Sequence, residues 1–144
     1  MVKKRVVVTG VGVVTPIGNN VSDFWKSLCE GKSGIRRIEG FDSSIFDSRI
    51  AGEVKNFDAT GYADPKELRR MDKFVQYALI SAKDAHKDSG LDLSKEDLTR
   101  IGVLIGSGMG SLKVIEEQHL LLLDKGPSRM SPFLIPMLIA NMAS

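Results

Sequence analysis

The sequence is short of the residues that most often carry metal or redox chemistry. It has one cysteine, Cys29, and two histidines, His86 and His119, in 144 residues. A single cysteine excludes an intrachain disulfide framework. One thiol and two imidazoles are too few ligands for a four-coordinate Cys/His zinc site. Strong charge of either sign is also missing: Lys and Arg number 20 against 18 Asp and Glu, a net +2. Any basic partner surface must therefore be local, and no nucleic-acid partner is expected. A long apolar run is absent as well. Residues 6–17 are interrupted by glycines, threonines and a proline, short of the ~20 apolar residues that span a bilayer, and no small-residue cleavage site follows. Neither a signal peptide nor a membrane partner is expected, the chain reads as cytoplasmic, and the sequon Asn20-Val21-Ser22 reads as chance.

What remains is ordinary globular material. Hydrophobic residues make up 42% and charged residues 26%, which excludes disorder, collagen and coiled coil as the main state. The length fits one domain of ~100–200 residues, with a core affordable at that size.

The pattern of elements is that of an α/β chain. Residues 5–9 form an unbroken β-branched run ended by Gly10-Val11-Gly12, as expected for a strand covered on both faces. Asn19 or Asn20 caps a helix that Gly31 ends, with Val21, Trp25 and Leu28 as its apolar stripe. A short strand is expected over residues 51–54. Residues 65–89 read as the strongest helix, with Pro65 at its first position and Gly90 past its end. Leu68, Met71, Phe74, Ala78, Ala82 and Ala85 make a narrow stripe whose small side chains permit close packing. The opposite face carries Lys66, Arg69, Arg70, Lys73, Lys83 and Lys87. Residues 101–105 read as a second buried strand, followed by Gly106-Ser107-Gly108-Met109-Gly110. A helix over residues 111–125 follows, with Leu112, Ile115, His119 and Leu122 as its stripe, stopped by Gly126-Pro127. Residues 130–144 carry no charge and are mostly apolar. A helix starting near Pro136 would still be running at Ser144, which reads as the beginning of a longer protein. Strand, helix, helix, strand, helix predicts a mainly parallel sheet covered by helices.

Several motifs admit two readings. Gly10-x-Gly12 follows a strand and precedes a helix as in a dinucleotide fingerprint, but Thr15 stands at the third glycine position and no acidic residue ends a second strand where expected, so a tight structural turn is the favoured reading. Gly31-Lys32-Ser33 imitates the end of a phosphate loop, yet follows a helix and has Lys26 where the first glycine belongs. The triple-glycine turn at 106–110 permits close backbone approach, with Met109 able to aim a flexible apolar side chain into a cavity. Cys29 has no activating base nearby in sequence, and both histidines read as structural residues. Lys66, Arg69 and Arg70 cluster within a turn and a half, as either a solvated face or a site for an acidic partner.

Taken together, several stretches resemble one family. Val6-Val7-Val8-Thr9-Gly10-Val11-Gly12 with Thr15-Pro16-Ile17-Gly18 is similar to the opening of the β-ketoacyl-acyl-carrier-protein synthases. So are Trp25 with Gly31-Lys32-Ser33-Gly34-Ile35, the run Arg70-Met71-Asp72-Lys73-Phe74, Ala82 followed by Asp88-Ser89-Gly90, Arg100-Ile101-Gly102 with Gly106-Ser107-Gly108, and Ser131-Pro132-Phe133. Within the family the bacterial type II elongating enzymes are the most alike. The resemblance implies a thiolase-like fold, with residues 1–144 as the N-terminal part of its first half, cut before the catalytic cysteine. It implies a decarboxylative Claisen condensation of an acyl-enzyme with malonyl-acyl carrier protein, in a homodimer. No cofactor is implied beyond the phosphopantetheine that the carrier protein brings. The family's catalytic cysteine and two histidines would fall beyond residue 144, so no catalytic residue is expected here and the chain alone is expected to be inactive. The resemblance places Met109 at the end of the acyl pocket. It places Leu134, Ile135 and Leu138 in a dimer-interface segment that reaches the partner's pocket, and Lys66, Arg69 and Arg70 in the patch that receives the carrier protein. Two other classes remain open: a small nucleotide- or phosphate-binding α/β module using the glycine turns, and a carrier-binding or dimerisation module without chemistry.

Overall fold

The computed structural model describes residues 3–144. They fall into two compact units, taken in turn.

The first unit holds residues 3–58 and Ser81–Leu91. Its opening segment has no regular secondary structure and no ladder. Val6 is 93% exposed, and Val7 and Val8 are exposed beside it. The buried strand expected at residues 5–9 is therefore not formed, because no segment among the described residues supplies the backbone partners that a strand needs. The glycine turn that follows is used for packing. A Cβ on Gly10 would fall on the Ala85 carbonyl and one on Gly12 on the Ser81 carbonyl, and the Val11 amide donates to the Asp88 carboxylate at 2.9 Å. Small side chains at 81 and 85 allow this approach, as the narrow stripe predicted at Ala85.

A tight turn closes between Thr15 and Gly18 and leads into α1, Val21–Cys29. Asn20 caps it: its Oδ1 accepts the Asp23 amide at 2.9 Å, and its Nδ2 donates to the Asp23 carboxylate at 2.8 Å. The helix ends on Gly31 at φ +66°. There the Lys32 amide reaches the Ser27 carbonyl at 2.9 Å and the Gly31 amide reaches that of Leu28, the paired closure that favours glycine. The inward residues are Phe24 and Ser27, whereas Val21, Trp25 and Leu28 are exposed, Trp25 by 63%. The apolar stripe exists but points away from every described partner in this unit.

The sheet of this unit has two strands, β1 (Ile35–Arg37) and β2 (Ile50–Gly52), paired antiparallel with Arg36 opposite Ala51. The strand expected at 51–54 thus starts one residue earlier and ends two earlier. The mainly parallel sheet is not formed among the described residues. Beyond β2, Glu53 accepts the Glu39 and Gly40 amides at 3.1 and 2.9 Å and pairs with Lys55 at 3.1 Å, which fixes the strand connection from outside.

The second unit holds Ala59–Ile80 and Asp92–Ser144. The single helix predicted over 65–89 is two: α2 (Pro65–Leu68) and α3 (Lys73–Ser89), of which residues 73–80 belong to this unit. Gln76 explains the break. Its Nε2 donates to the Leu68 and Met71 carbonyls, each at 3.0 Å, so the chain leaves the helix with those acceptors satisfied. Val75, Ile80, Ala59 and Val114 form the small buried core.

Residues 101–105 form no strand, and Leu104 is 97% exposed. This second expected strand also lacks a ladder partner among the described residues. α4 (Leu112–Lys125) starts at Ser111, whose buried Oγ accepts the Val114 amide at 3.2 Å, and stops at Gly126. Its inward line is Ser111, Val114, Gln118 and Leu121, while Leu112, Ile115, His119 and Leu122 are exposed. The predicted stripe is one residue, about 100°, away from the inward face. α5 (Leu134–Leu138) ends early: the Leu138 carbonyl accepts the Ser111 amide at 3.3 Å instead of continuing the helix, and Ala140–Ala143 close a separate 3₁₀ turn.

Candidate functional site

The predicted site residues all lie in the second unit. Asp64 caps α2, accepting the Lys66 amide at 2.7 Å, and Pro65 opens it without a wasted donor. Lys66, Arg69 and Arg70 follow within one short turn, all exposed. Because α2 stops at Leu68, Arg69 and Arg70 lie in the break rather than at the start of a long helix. Arg69 turns its Nε back to the Pro65 carbonyl at 3.1 Å. Arg70 does something else: its guanidinium carbon stands 4.6 Å from the centroid of the Phe133 ring, within cation–π range. The cluster therefore has two parts, an exposed pair and a cation seated on an aromatic face. Near the break, burial and then the Asp72 charge raise the Tyr77 phenol above its ordinary value, so it stays protonated at neutral pH.

Phe133 immediately precedes α5, the element carrying Leu134, Ile135 and Leu138. That segment is pinned at its entry: the Ser131 amide donates to Gln118 of α4 at 2.7 Å, and Ser131 Oγ accepts the Phe133 amide at 3.1 Å. It is pinned again at its exit by the Leu138 carbonyl, which takes the Ser111 amide and lies against Gly110. Gly110 has φ +67°, and a Cβ there would fall on the Leu138 oxygen. This is the one place where the 106–110 turn requires glycine for close approach; Gly106 and Gly108 face open space. The Gly110 amide in turn donates to Ser107 Oγ at 3.1 Å.

Met109 projects from this turn and is 66% exposed. Leu134 and Leu138 are half-buried and Ile135 is exposed. The structure thus joins the Met109 turn to α5 through backbone contacts and joins α5 to the cation cluster through Phe133. Phe133 was visible in sequence only as part of the Ser131-Pro132-Phe133 run. Gln118 carried no signal, since a polar residue on a helix reads as solvated.

The other chemistry-bearing side chains do not converge. Cys29 is exposed at the end of α1 and His86 and His119 are exposed on α3 and α4. Among the described residues no group of three or more His, Cys, Asp or Glu side chains could hold a metal ion, and no helix is long and apolar enough to cross a membrane. The first unit has a polar cavity of about 570 Å³ lined by Thr15, Asn19, Asn20, Lys32, Arg36 and Lys55 among others. Two of its cations are already paired, Lys32 with Glu30 at 2.6 Å and Lys55 with Glu39 and Glu53. Gly10 and Gly12 do not line it; they are spent on helix packing, so the nucleotide-turn reading gains nothing here.

A family model described as β-ketoacyl synthase, N-terminal domain, matches residues 3–144. The chain is 55% identical over 142 residues to a protein of Synechocystis named 3-oxoacyl-[acyl-carrier-protein] synthase 2, covering 99% of this chain and 34% of that protein. It is 49% identical over 144 residues to the protein of the same name from Vibrio harveyi, covering 35% of it. The chain spans about a third of the length of the curated relatives it matches. Among solved structures, a type II polyketide ketosynthase in complex with its acyl-carrier protein superposes with a TM-score of 0.79 at 27% identity, over 98% of this chain and 37% of that one. The ishigamide ketosynthase/chain length factor gives 0.78 at 30% identity, over 96% and 34%.

Proposed function

Because the chain belongs to the β-ketoacyl synthase N-terminal domain family, we propose that the protein is a 3-oxoacyl-acyl-carrier-protein synthase of fatty-acid elongation. The observation that carries this reading is the 55% identity, over 142 residues, to a relative of that name. In the reaction an acyl group leaves its carrier thioester and forms a new thioester with a cysteine of the enzyme, releasing the carrier thiol. Malonyl-carrier protein then loses carbon dioxide. The electron pair of the broken C–C bond attacks the acyl carbonyl, and the enzyme thiolate leaves. The product is a 3-oxoacyl-carrier protein two carbons longer. None of Cys29, His86 and His119 is assigned a part in these steps, since they are exposed and dispersed.

The residues of this chain bind and shape. Lys66, Arg69 and Arg70 form the surface that receives the acidic carrier protein, a role supported by their exposure in one short turn. Met109 stands at the end of the acyl pocket, and Leu134, Ile135 and Leu138 belong to its wall at a homodimer interface. Support comes from the backbone contacts that tie α5 to the Met109 turn. In the thiolase-like fold, the unpaired segments at 5–9 and 101–105 are strands of a mainly parallel sheet; their apolar, β-branched composition supports this. The enzyme is cytoplasmic and needs no cofactor beyond the carrier's phosphopantetheine.

The test is direct. Protein expressed from its complete reading frame is given an acyl-carrier protein and malonyl-carrier protein, and product is read by mass spectrometry. A 3-oxoacyl-carrier product, extended by two carbons with carbon dioxide released, is expected. Absence of that product with short, medium and long acyl groups alike would overturn the reading.

A further inference from the structure

The contact between Arg70 and Phe133 joins two regions to which the proposed function gives separate tasks. We infer that Arg70 is a positioning residue: its guanidinium, lying over Phe133, fixes the start of α5 and thereby sets which acyl chain lengths the enzyme accepts. The inference rests on the ketosynthase reading and divides its exposed cation cluster into two docking cations and one clamp seated on an aromatic ring.

Three points hold the 131–138 segment. The Ser131 amide is bonded to Gln118, and the Leu138 carbonyl is bonded to the Ser111 amide and lies against Gly110. Both are backbone attachments to α4 or its entry. The third is Arg70 over Phe133 at 4.6 Å. It is the only one of the three made by a charged side chain. It is also the one nearest Leu134 and Ile135, which immediately follow Phe133. The Phe133 side chain gives α5 no capping hydrogen bond, so the ring's packing, not its polarity, sets the direction in which the helix leaves. A helix of five residues has too few internal hydrogen bonds to hold a course of its own. Its last turn meets the backbone beside Met109, so a tilt at Phe133 moves Leu134, Ile135 and Leu138 relative to Met109. The Arg70 side chain is exposed to solvent even while it lies over the ring. Arg70 can therefore meet a carboxylate of the carrier while still seated on Phe133, which makes docking and pocket shape communicate through one side chain.

The experiment uses protein from the complete reading frame and five variants: Arg69→Ala, Arg70→Ala, Arg70→Lys, Phe133→Leu and the double variant Arg70→Ala with Phe133→Leu. kcat/KM is measured over a series of acyl-carrier proteins from short to long. Hydrogen exchange is followed in peptides spanning 131–139. Arg69→Ala should raise KM by a similar factor at every chain length and leave exchange unchanged. Arg70→Ala and Phe133→Leu should each change the long-to-short kcat/KM ratio, on the order of threefold as expected for a partly exposed cation–π contact. Each should also speed exchange at Met137, Leu138 and Ile139. The double variant should change the ratio no further than either single one. Arg70→Lys, which retains a cation, should recover part of the ratio. If Arg70→Ala behaves like Arg69→Ala in both readouts, the inference is wrong while the ketosynthase reading stands. If the unaltered protein makes no 3-oxoacyl product, the function reading fails, and unchanged exchange in Arg70→Ala then removes the clamp as well. Faster exchange there would keep the clamp as a structural fact about α5.

Discussion

The carbonyl oxygen of Leu138 rests against the α-carbon of Gly110, where no side chain can stand. The same oxygen accepts the Ser111 amide at 3.3 Å, so the end of α5 and the start of α4 meet through main chain alone. Gly110 also holds φ +67°, a region that costs a side-chain-bearing residue about 1–3 kcal/mol. Gly110→Ala in the full-length protein should therefore lose at least that much stability, read as a lower denaturant midpoint with unchanged slope. Gly106→Ala, facing open space with an ordinary φ, is the control and should be close to neutral. Equal effects at the two positions would contradict the contact.

Gln76 offers a second test, at the break between α2 and α3. Its amide nitrogen serves the Leu68 and Met71 carbonyls together. Gln76→Leu keeps the bulk and removes both donations. A net loss of roughly 1–2 kcal/mol is expected, at about 1 kcal/mol per hydrogen bond. The carrier-protein KM should rise as well, because Arg69 and Arg70 sit in the turn that Gln76 closes. A stability loss with KM unchanged would mean that the break does not set the cluster's geometry.

This break marks the boundary between what the sequence expressed and what it did not. Local signals were readable wherever one residue decides an outcome: Asn19 or Asn20 as a cap, Gly31 and Gly126 as stops, Pro65 as a first turn, Ala85 as room for a close backbone. The interruption at residues 69–72 was not readable, because helix-forming residues fill it and the cause is a glutamine side chain further on. The stripes of α1 and α4 were legible as apolar, yet they stay exposed. Periodicity reports that a face avoids water and is silent on what covers it. Residues 5–9 and 101–105 meet no partner among the described residues for the related reason that a buried-strand composition does not name its ladder partner. At the site, the cation cluster was legible from spacing, whereas the seat of Arg70 on Phe133 joins residues far apart in sequence and has no local signature.

Those uncovered faces yield a third prediction. Val6, Val8, Trp25, Leu104, Leu120 and Leu123 are each more than half exposed, and among the described residues only Ala59, Val75, Ile80 and Val114 are buried apolar side chains. A polypeptide limited to residues 1–144 should self-associate and bind a hydrophobic dye, because this much uncovered apolar surface favours association. It should also make no 3-oxoacyl product. A monodisperse monomer with one cooperative unfolding transition by sedimentation and calorimetry would contradict the first statement; product formation would contradict the second.

A fourth concerns acid. The Glu53 carboxylate is held below its ordinary value of 4.5 chiefly by its hydrogen bond to Lys55 and then by the Glu39 amide, with burial opposing them and the Gly40 amide adding a lesser share. A depressed carboxylate contributes stability that is present above the unfolded value and is lost as pH falls through the folded one. The Gly40 amide resonance should therefore titrate with a midpoint below 4.5, and Glu53→Gln should abolish that titration. A midpoint at or above 4.5 would show that the carboxylate gains nothing from these donors.

The last prediction separates docking from chemistry. Lys66 and Arg69 are exposed, and no ion pair is seen for either among the described residues. Helix stability does not account for Arg69, whose one side-chain bond is to a carbonyl in its own turn. An acidic partner would give both charges a use. Attraction between exposed charges acts over the ~10 Å screening length of 0.1 M salt and shortens as salt is added, and it changes association more than the chemical step. Lys66→Ala with Arg69→Ala should then raise the carrier-protein KM severalfold at low ionic strength, with kcat nearly constant. The difference from the unaltered protein should shrink as salt rises. Turnover of a small acyl thioester without the carrier should not change, since Met109 and α5 are untouched. Equal losses with both substrates would point to misfolding, which the unfolding midpoint would reveal. No loss with either would return the two cations to the role of a solvated turn.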